Sequence, residues 1–156
     1  MKRILLLFVM LVLFALSACN SQNTRTMINY ELDEYVVNNY LDASMVIVEE
    51  SITNKGLTLE LRYYGKDEGL TGSWYTLFVY EDSEWNELAN IVDGDVAWTM
   101  IAYSVEKNRA KEISTDWEWL YGELSIGKYL IIKQFTNHRD AGDNDNYYLG
   151  CEFTIE

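Results

Sequence analysis

The sequence predicts an all-β fold, an antiparallel sandwich of about seven to nine strands, and three observations predict it. Segments rich in β-branched and aromatic residues recur about every 8–15 residues from Met45 to the C-terminus, each bounded by turn residues. One of them, Leu57 to Tyr63, alternates apolar and polar side chains cleanly, as a strand with one buried face requires. No internal repeat, heptad or low-complexity block interrupts this rhythm, and no strand–helix alternation suggests an α/β chain.

The first residues are of another kind. Met1-Lys2-Arg3 is followed by an apolar run from Ile4 to Leu16, then by Leu16-Ser17-Ala18-Cys19 and a polar tract beginning at Asn20. A basic start, a short apolar run and small residues before a cut site describe a secretory signal. The run is too short to span a bilayer, which needs roughly 20 apolar residues. Leu-Ser-Ala-Cys resembles the lipobox of bacterial lipoproteins, which implies diacylglyceryl attachment to the Cys19 thiol and cleavage just before it. The expected organisation is a lipoprotein signal peptide over 1–18, a lipidated N-terminus and tether over 19–43, and a β-sandwich domain over 44–156. The expected location is the extracytoplasmic face of a cell membrane, held by lipid on Cys19.

Within the domain each element has its own signal. Tyr30 to Asp42 reads equally as a short helix or an edge strand. Met45–Val48 is a first strand, and Asn54-Lys55-Gly56 turns into Leu57–Tyr63, with Leu57, Leu59, Leu61 and Tyr63 on one face. Gly65 to Gly72 reads as a loop. Trp74–Tyr80 and Trp85–Leu88 read as a hairpin joined by Glu81-Asp82-Ser83-Glu84. Val96–Val105, dense in aromatic and β-branched residues, reads as a strand, and Lys111–Trp117 as the next. Tyr129–Thr136 follows Gly127-Lys128, Asn137–Asn146 is a polar loop, and Tyr147–Ile155 closes the domain. That count over about 110 residues fits an immunoglobulin-like sandwich.

Four stretches carry a closer resemblance: Ala97–Tyr103, Asp116-Trp117-Glu118-Trp119-Leu120-Tyr121-Gly122, Gly127-Lys128-Tyr129, and Tyr147-Tyr148-Leu149 with Glu152-Phe153. Together they resemble a bacterial immunoglobulin-like domain found in exported proteins and lipoproteins of Gram-positive gut bacteria. The resemblance spans roughly residues 44–156 and implies a β-sandwich with no catalytic residues to carry over. Where the family tends to place prolines before Gly-Lys-Tyr, this chain has Ser125-Ile126.

Charge excludes some partners. The chain carries 25 acidic and 12 basic residues, a net charge of −13, and loss of Lys2 and Arg3 with the signal peptide moves it to about −15. Such a surface repels nucleic acid and anionic headgroups. With Cys19 lipidated, Cys151 has no partner for an internal disulfide, so stability must come from the apolar core.

The candidate residues are each open to a plain structural reading. Tyr129 stands where a tyrosine corner would, its hydroxyl bonding back to the chain a few residues upstream. Trp117, Trp119 and Tyr121 would share one face of an extended segment, as a plug closing the sandwich or as an aromatic platform. Lys133 shares strand parity with Tyr129, Ile131 and Phe135 and so points inward. A buried ammonium there must snorkel or meet a carboxylate such as Asp116 or Glu118, and a nucleophilic lysine would lack a second catalytic group. Cys151 reads as a small buried hydrophobe and His138 as a solvated loop histidine. Asp140, Asp143 and Asp145 form a weak calcium candidate of hard oxygen ligands, but the loop fails an EF-hand pattern at Tyr148 and Thr154. No phosphate loop, nucleophile elbow or metalloprotease motif is present.

The sequence therefore implies a non-enzymatic, membrane-anchored binding module for a protein, peptide or glycan, with no cofactor. The alternatives are a protease-inhibitor module presenting Asp140–Asn146 or Gly65–Gly72, and an unrecognised hydrolase.

Overall fold

The structure, a computed structural model, describes residues 28–32 and 34–156. The expected signal peptide, the expected lipidation site Cys19 and the tether as far as residue 27 lie outside the described residues. In chain order the strands are β1 (Tyr30–Leu32), β2 (Tyr35–Val37), β3 (Ala43–Ile47), β4 (Gly56–Tyr63), β5 (Glu68–Glu81), β6 (Glu84–Glu87), β7 (Tyr103–Val105), β8 (Ala110–Asp116), β9 (Gly127–Asp140) and β10 (Asp143–Ile155). A single helical turn, α1 (Glu118–Tyr121), joins β8 to the segment before β9.

The strands form two sheets. The larger has the order β1-β2-β10-β9-β5-β6, with β7 also paired to β5, and the smaller is β3-β4-β8. Alternation explains which sides meet. Leu57, Leu59, Leu61 and Tyr63 of β4 pack with Met45 and Ile47 of β3 against Tyr75, Leu77, Tyr129, Ile131, Phe135, Leu149 and Phe153 of the larger sheet. Strand β9, central between β10 and β5, is buried on both faces. Its odd residues face the inter-sheet core, while Leu130 and Ile132 join Val37 and Phe78 in a second apolar cluster on the outer face. This is why its sequence reads as a continuous apolar run rather than an alternating one.

Four sequence expectations are corrected. The tether does not extend to residue 43. Tyr30–Leu32 pairs antiparallel with Tyr35–Val37, and Val37 lies beside Tyr148 of β10 in a parallel contact. Asn38, at φ 62°, locks this join: its amide donates to Gly150 O at 3.1 Å and its Oδ1 accepts from Gly150 N at 2.9 Å. Asn137–Asn146 is not a loop but the distal part of the β9–β10 hairpin, turned by Ala141 and Gly142, with Gly142 at φ 81°. Its polar side chains suit a ribbon exposed on both faces. Gly65–Gly72 is largely strand, since β5 begins at Glu68.

The fourth correction concerns Val96–Val105, of which only Tyr103–Val105 is strand. The reason lies in β5. Phe78–Glu81 pairs with β6 and Gly69–Thr71 pairs with β7, both on the edge away from β9. Between these two pairings, Thr71 to Tyr75, β5 shifts register against β9. A bulged edge offers no straight ladder, so the residues arriving opposite it remain irregular.

Candidate functional site

The β5 bulge opens a cleft of about 450 Å³ at the edge where the two sheets part. Gly72, Ser73 and Tyr75 form one wall, and β8 from Lys111 to Asp116 forms the other. The irregular segment Ala97-Trp98-Thr99 roofs it, with Tyr103 and Trp119 at its sides. The roof is pinned to the bulge: Ser73 Oγ donates to Thr99 O at 3.1 Å and Thr99 Oγ1 donates to Ser73 Oγ at 2.9 Å. The aromatic rings form a connected set, Trp98 meeting Tyr75 edge-on at 5.1 Å and Trp119 at 5.6 Å between centroids.

Lys133 of β9 also lines the cleft and is only 1% exposed. The parity reading placed it inward, and it is inward, but its partner is not Asp116 or Glu118. Its ammonium donates to Gly72 O at 2.7 Å and Trp74 O at 3.2 Å. The bulge frees these carbonyls from the ladder, and the lysine takes them up. Asp116 instead accepts from Glu118 N at 2.9 Å, while Glu118 pairs with Lys55 at 2.7 Å near the surface. Burial without a counter-charge pushes the Lys133 amine down to about 8.

Trp117, Trp119 and Tyr121 do not share a face. The chain from Trp117 turns into α1, and a helical turn sends successive odd residues in different directions, where extended backbone would align them. Trp117 is fully buried, 5.4 Å from the Phe153 ring, with its indole N–H donating to Asn54 O at 3.0 Å. Trp119 is 49% exposed and flanks the cleft, held by a bond from its indole N–H to Asp116 O at 3.1 Å. Tyr121 is half-buried against Tyr75. Tyr129 stacks on Phe153, and its hydroxyl donates to Ser125 O, four residues upstream, at 2.9 Å.

The hairpin acids stand elsewhere, at the far end of β9 and β10. Arg139 bonds both Asp143 and Asp145, placing a guanidinium among the carboxylates considered for calcium, and Asp140 Oδ1 accepts from Ala141 N at 2.7 Å. The Arg139 side chain holds the Asp143 carboxyl below its ordinary range. Among the described residues, no group of three or more His, Cys, Asp and Glu side chains is placed to hold a metal. His138 meets Asn144, whereas Cys151 donates to Met45 O, so these two residues belong to opposite ends of the hairpin.

Trp98, Tyr75, Tyr103 and Lys111 are the cleft residues that sequence reasoning missed as a set. The available signal was Lys133, an inward charge that required an opening nearby. A second aromatic surface, formed by Tyr30, Tyr35, Trp74, Trp85 and Tyr148, covers Phe78, Leu130 and Ile132 on the outer face of the larger sheet. It completes the second core cluster.

No curated protein matches the chain. The model of the bacterial Ig-like domain matches residues 39–154, and the chain belongs to that family.

Proposed function

We propose that this bacterial Ig-like domain is tethered to the outer side of a cell membrane by acyl chains on Cys19 and binds an envelope protein, peptide or glycan in the cleft beside the β5 bulge. Bacterial Ig-like domains are non-catalytic interaction modules of a generic kind. The observation that carries the site is the pairing of an aromatic-walled opening with a buried ammonium at its inner wall. Ligand sites are concave and mostly apolar, with a few convergent polar groups, and this cleft has that character. The inhibitor reading loses its two presenting loops, because Asp140–Asn146 is a hairpin end and Gly65–Gly72 is mostly β5.

Two acyl chains, each adding about 0.8 kcal/mol per buried CH2, would hold the module stably while its acidic surface stands off the headgroups. Cys19→Ala is expected to abolish labelling by radioactive palmitate in cells, and retained labelling would remove the anchor from this reading. The site is tested with a photo-crosslinking residue in place of Trp119, compared with one in place of Asp140, in cells with intact envelopes. Adducts formed through position 119 and not through position 140 are expected. Equal adducts at both positions, or none, would overturn the cleft as the site.

A further inference from the structure

Resting on the cleft as the binding site, we propose that its ligand is an organic carboxylate with a flat apolar body, the carboxylate pairing with Lys133 and the body lying against the joined rings of Trp98 and Trp119. An ammonium has three N–H donors, and two of those on Lys133 are accepted by Gly72 O and Trp74 O. Among the described residues none supplies a third acceptor and no carboxylate pairs with it, although the chain carries 25 acidic residues. Burial of such a group is costly unless a partner completes it.

Strand β8 adds a second positive group. Its alternation places Lys111, Ile113 and Thr115 on the half-buried, inward side, and Glu112, Ser114 and Asp116 on the exposed side. Lys111 Nζ lies 6.0 Å from the centre of the Tyr103 ring, across the cleft mouth. The cleft thus sets two ammonium groups among aromatic rings, while its two carboxylates, Glu112 and Asp116, stand on the exposed side of β8.

The donors fit a singly charged, planar anion. Among the described residues no arginine lines the cleft, and the two carbonyl oxygens beside the Lys133 ammonium oppose the second charge of a phosphate dianion. Tyr75, Trp98, Tyr103 and Trp119 offer ring faces and edges, and Ile113 an aliphatic side chain, against which a flat apolar body can pack. The carboxylate can belong to a free small acid or to the C-terminus of a peptide ending in an aromatic residue.

The test is calorimetric titration of the full mature chain with indole-3-acetate, indole-3-acetamide, and acetyl-Ala-Phe carrying either a free or an amidated C-terminus. Acids are expected to bind at least tenfold more tightly than the matching amides. A free acid that outbinds the peptide identifies a small-molecule source, and the reverse order identifies a chain terminus. Amides that bind as well as acids would overturn the carboxylate while leaving the cleft in place. Failure of all four to bind at millimolar concentration would overturn both. Trp119→Ala, at an exposed position, should weaken acid and amide alike by about tenfold, as loss of an aromatic anchor does.

Lys133→Met should erase the preference for acid over amide. Its folding is checked by circular dichroism, and a pH series on the unaltered chain gives the same information without a substitution. Lys111, Glu112 and Asp116 from β8, Tyr75 from β5 and Tyr103 from β7 are the other titratable groups around the cleft. Burial holds Tyr75 above its ordinary range, so it stays neutral through the window used. Acid binding should fall by about tenfold per pH unit once the Lys133 amine loses its proton near 8, while amide binding stays level. An acid affinity flat from pH 7 to pH 10 would overturn the pairing.

Discussion

Lys133 sits where strand parity puts it, and what it touches follows from the backbone beside it. Its ammonium takes the two carbonyls that the β5 bulge releases, and it does so without a counter-charge. Its amine is therefore held down to about 8, against 10.5 for a solvated lysine. The folded chain thus binds fewer protons than the unfolded chain between those values, so this group's contribution makes stability rise with pH across the window from about 8 to 10.5. The full difference corresponds to roughly 3 kcal/mol. Chemical denaturation at intervals from pH 7 to pH 10 should show this rise when the unaltered chain is compared with Lys133→Met, which lacks the group. The comparison matters because buried tyrosines such as Tyr75, raised by burial, lose stability as pH passes 10. Tyr129 makes a simpler point. Tyr129→Phe removes one hydroxyl bond to Ser125 O and should cost about 1 kcal/mol in urea denaturation, with the ring's stacking on Phe153 intact.

At the scale of elements, two short pieces of chain do more than their sequences announce. The turn α1 separates Trp117 from Trp119, sending one into the core and the other to the cleft. Trp117→Ala should cost about 3–5 kcal/mol, the range for removing a fully buried large aromatic side chain. Trp119→Ala should cost about 1 kcal/mol, the loss of one hydrogen bond and one aromatic contact at a half-exposed position. Paired thermal melts distinguish the two tryptophans. The join of β2 to β10 rests on Asn38, whose side chain bonds Gly150 at both N and O and also donates to Ile28 O at 2.9 Å, in left-handed backbone. Asn38→Ala should cost about 3 kcal/mol, combining unpaired buried groups with backbone strain. Asn38→Gly, which relieves only the strain, should cost less in the same denaturation.

For the whole molecule, the N-terminal strands decide where the domain begins. β1 and β2 extend the larger sheet, and Val37, Tyr30, Leu32 and Tyr35 help cover Phe78, Leu130 and Ile132 on its outer face. A chain beginning at Ala43 would keep the inter-sheet core but expose that second cluster. It should bind a hydrophobic dye and melt well below a chain beginning at Ile28, and equal melting temperatures would show that the outer cluster adds nothing to the fold. The match of the bacterial Ig-like family begins at residue 39, between these strands and β3. The larger sheet of this chain thus reaches beyond the family's matched region.

Local pattern was sufficient wherever one neighbour decides the outcome. The alternation of Leu57–Tyr63, the inward parity of Lys133 and Cys151, the β5–β6 hairpin and the upstream bond of Tyr129 were all legible, because period-two geometry and turn chemistry are short-range. An all-β sandwich, its most regular strands and the inward lysine therefore follow from local pattern. The rest depends on contacts between segments distant in the chain. Val96–Ala102 has strand composition but meets a bulged edge, Asn137–Asn146 has loop composition but follows a hairpin already in register, and Tyr30–Val37 finds a sheet edge to join. The cleft belongs to this second class. Its residues come from β5, β7, β8, β9, α1 and an irregular segment, and they meet because a register shift in one strand leaves two carbonyls and a gap that distant side chains fill.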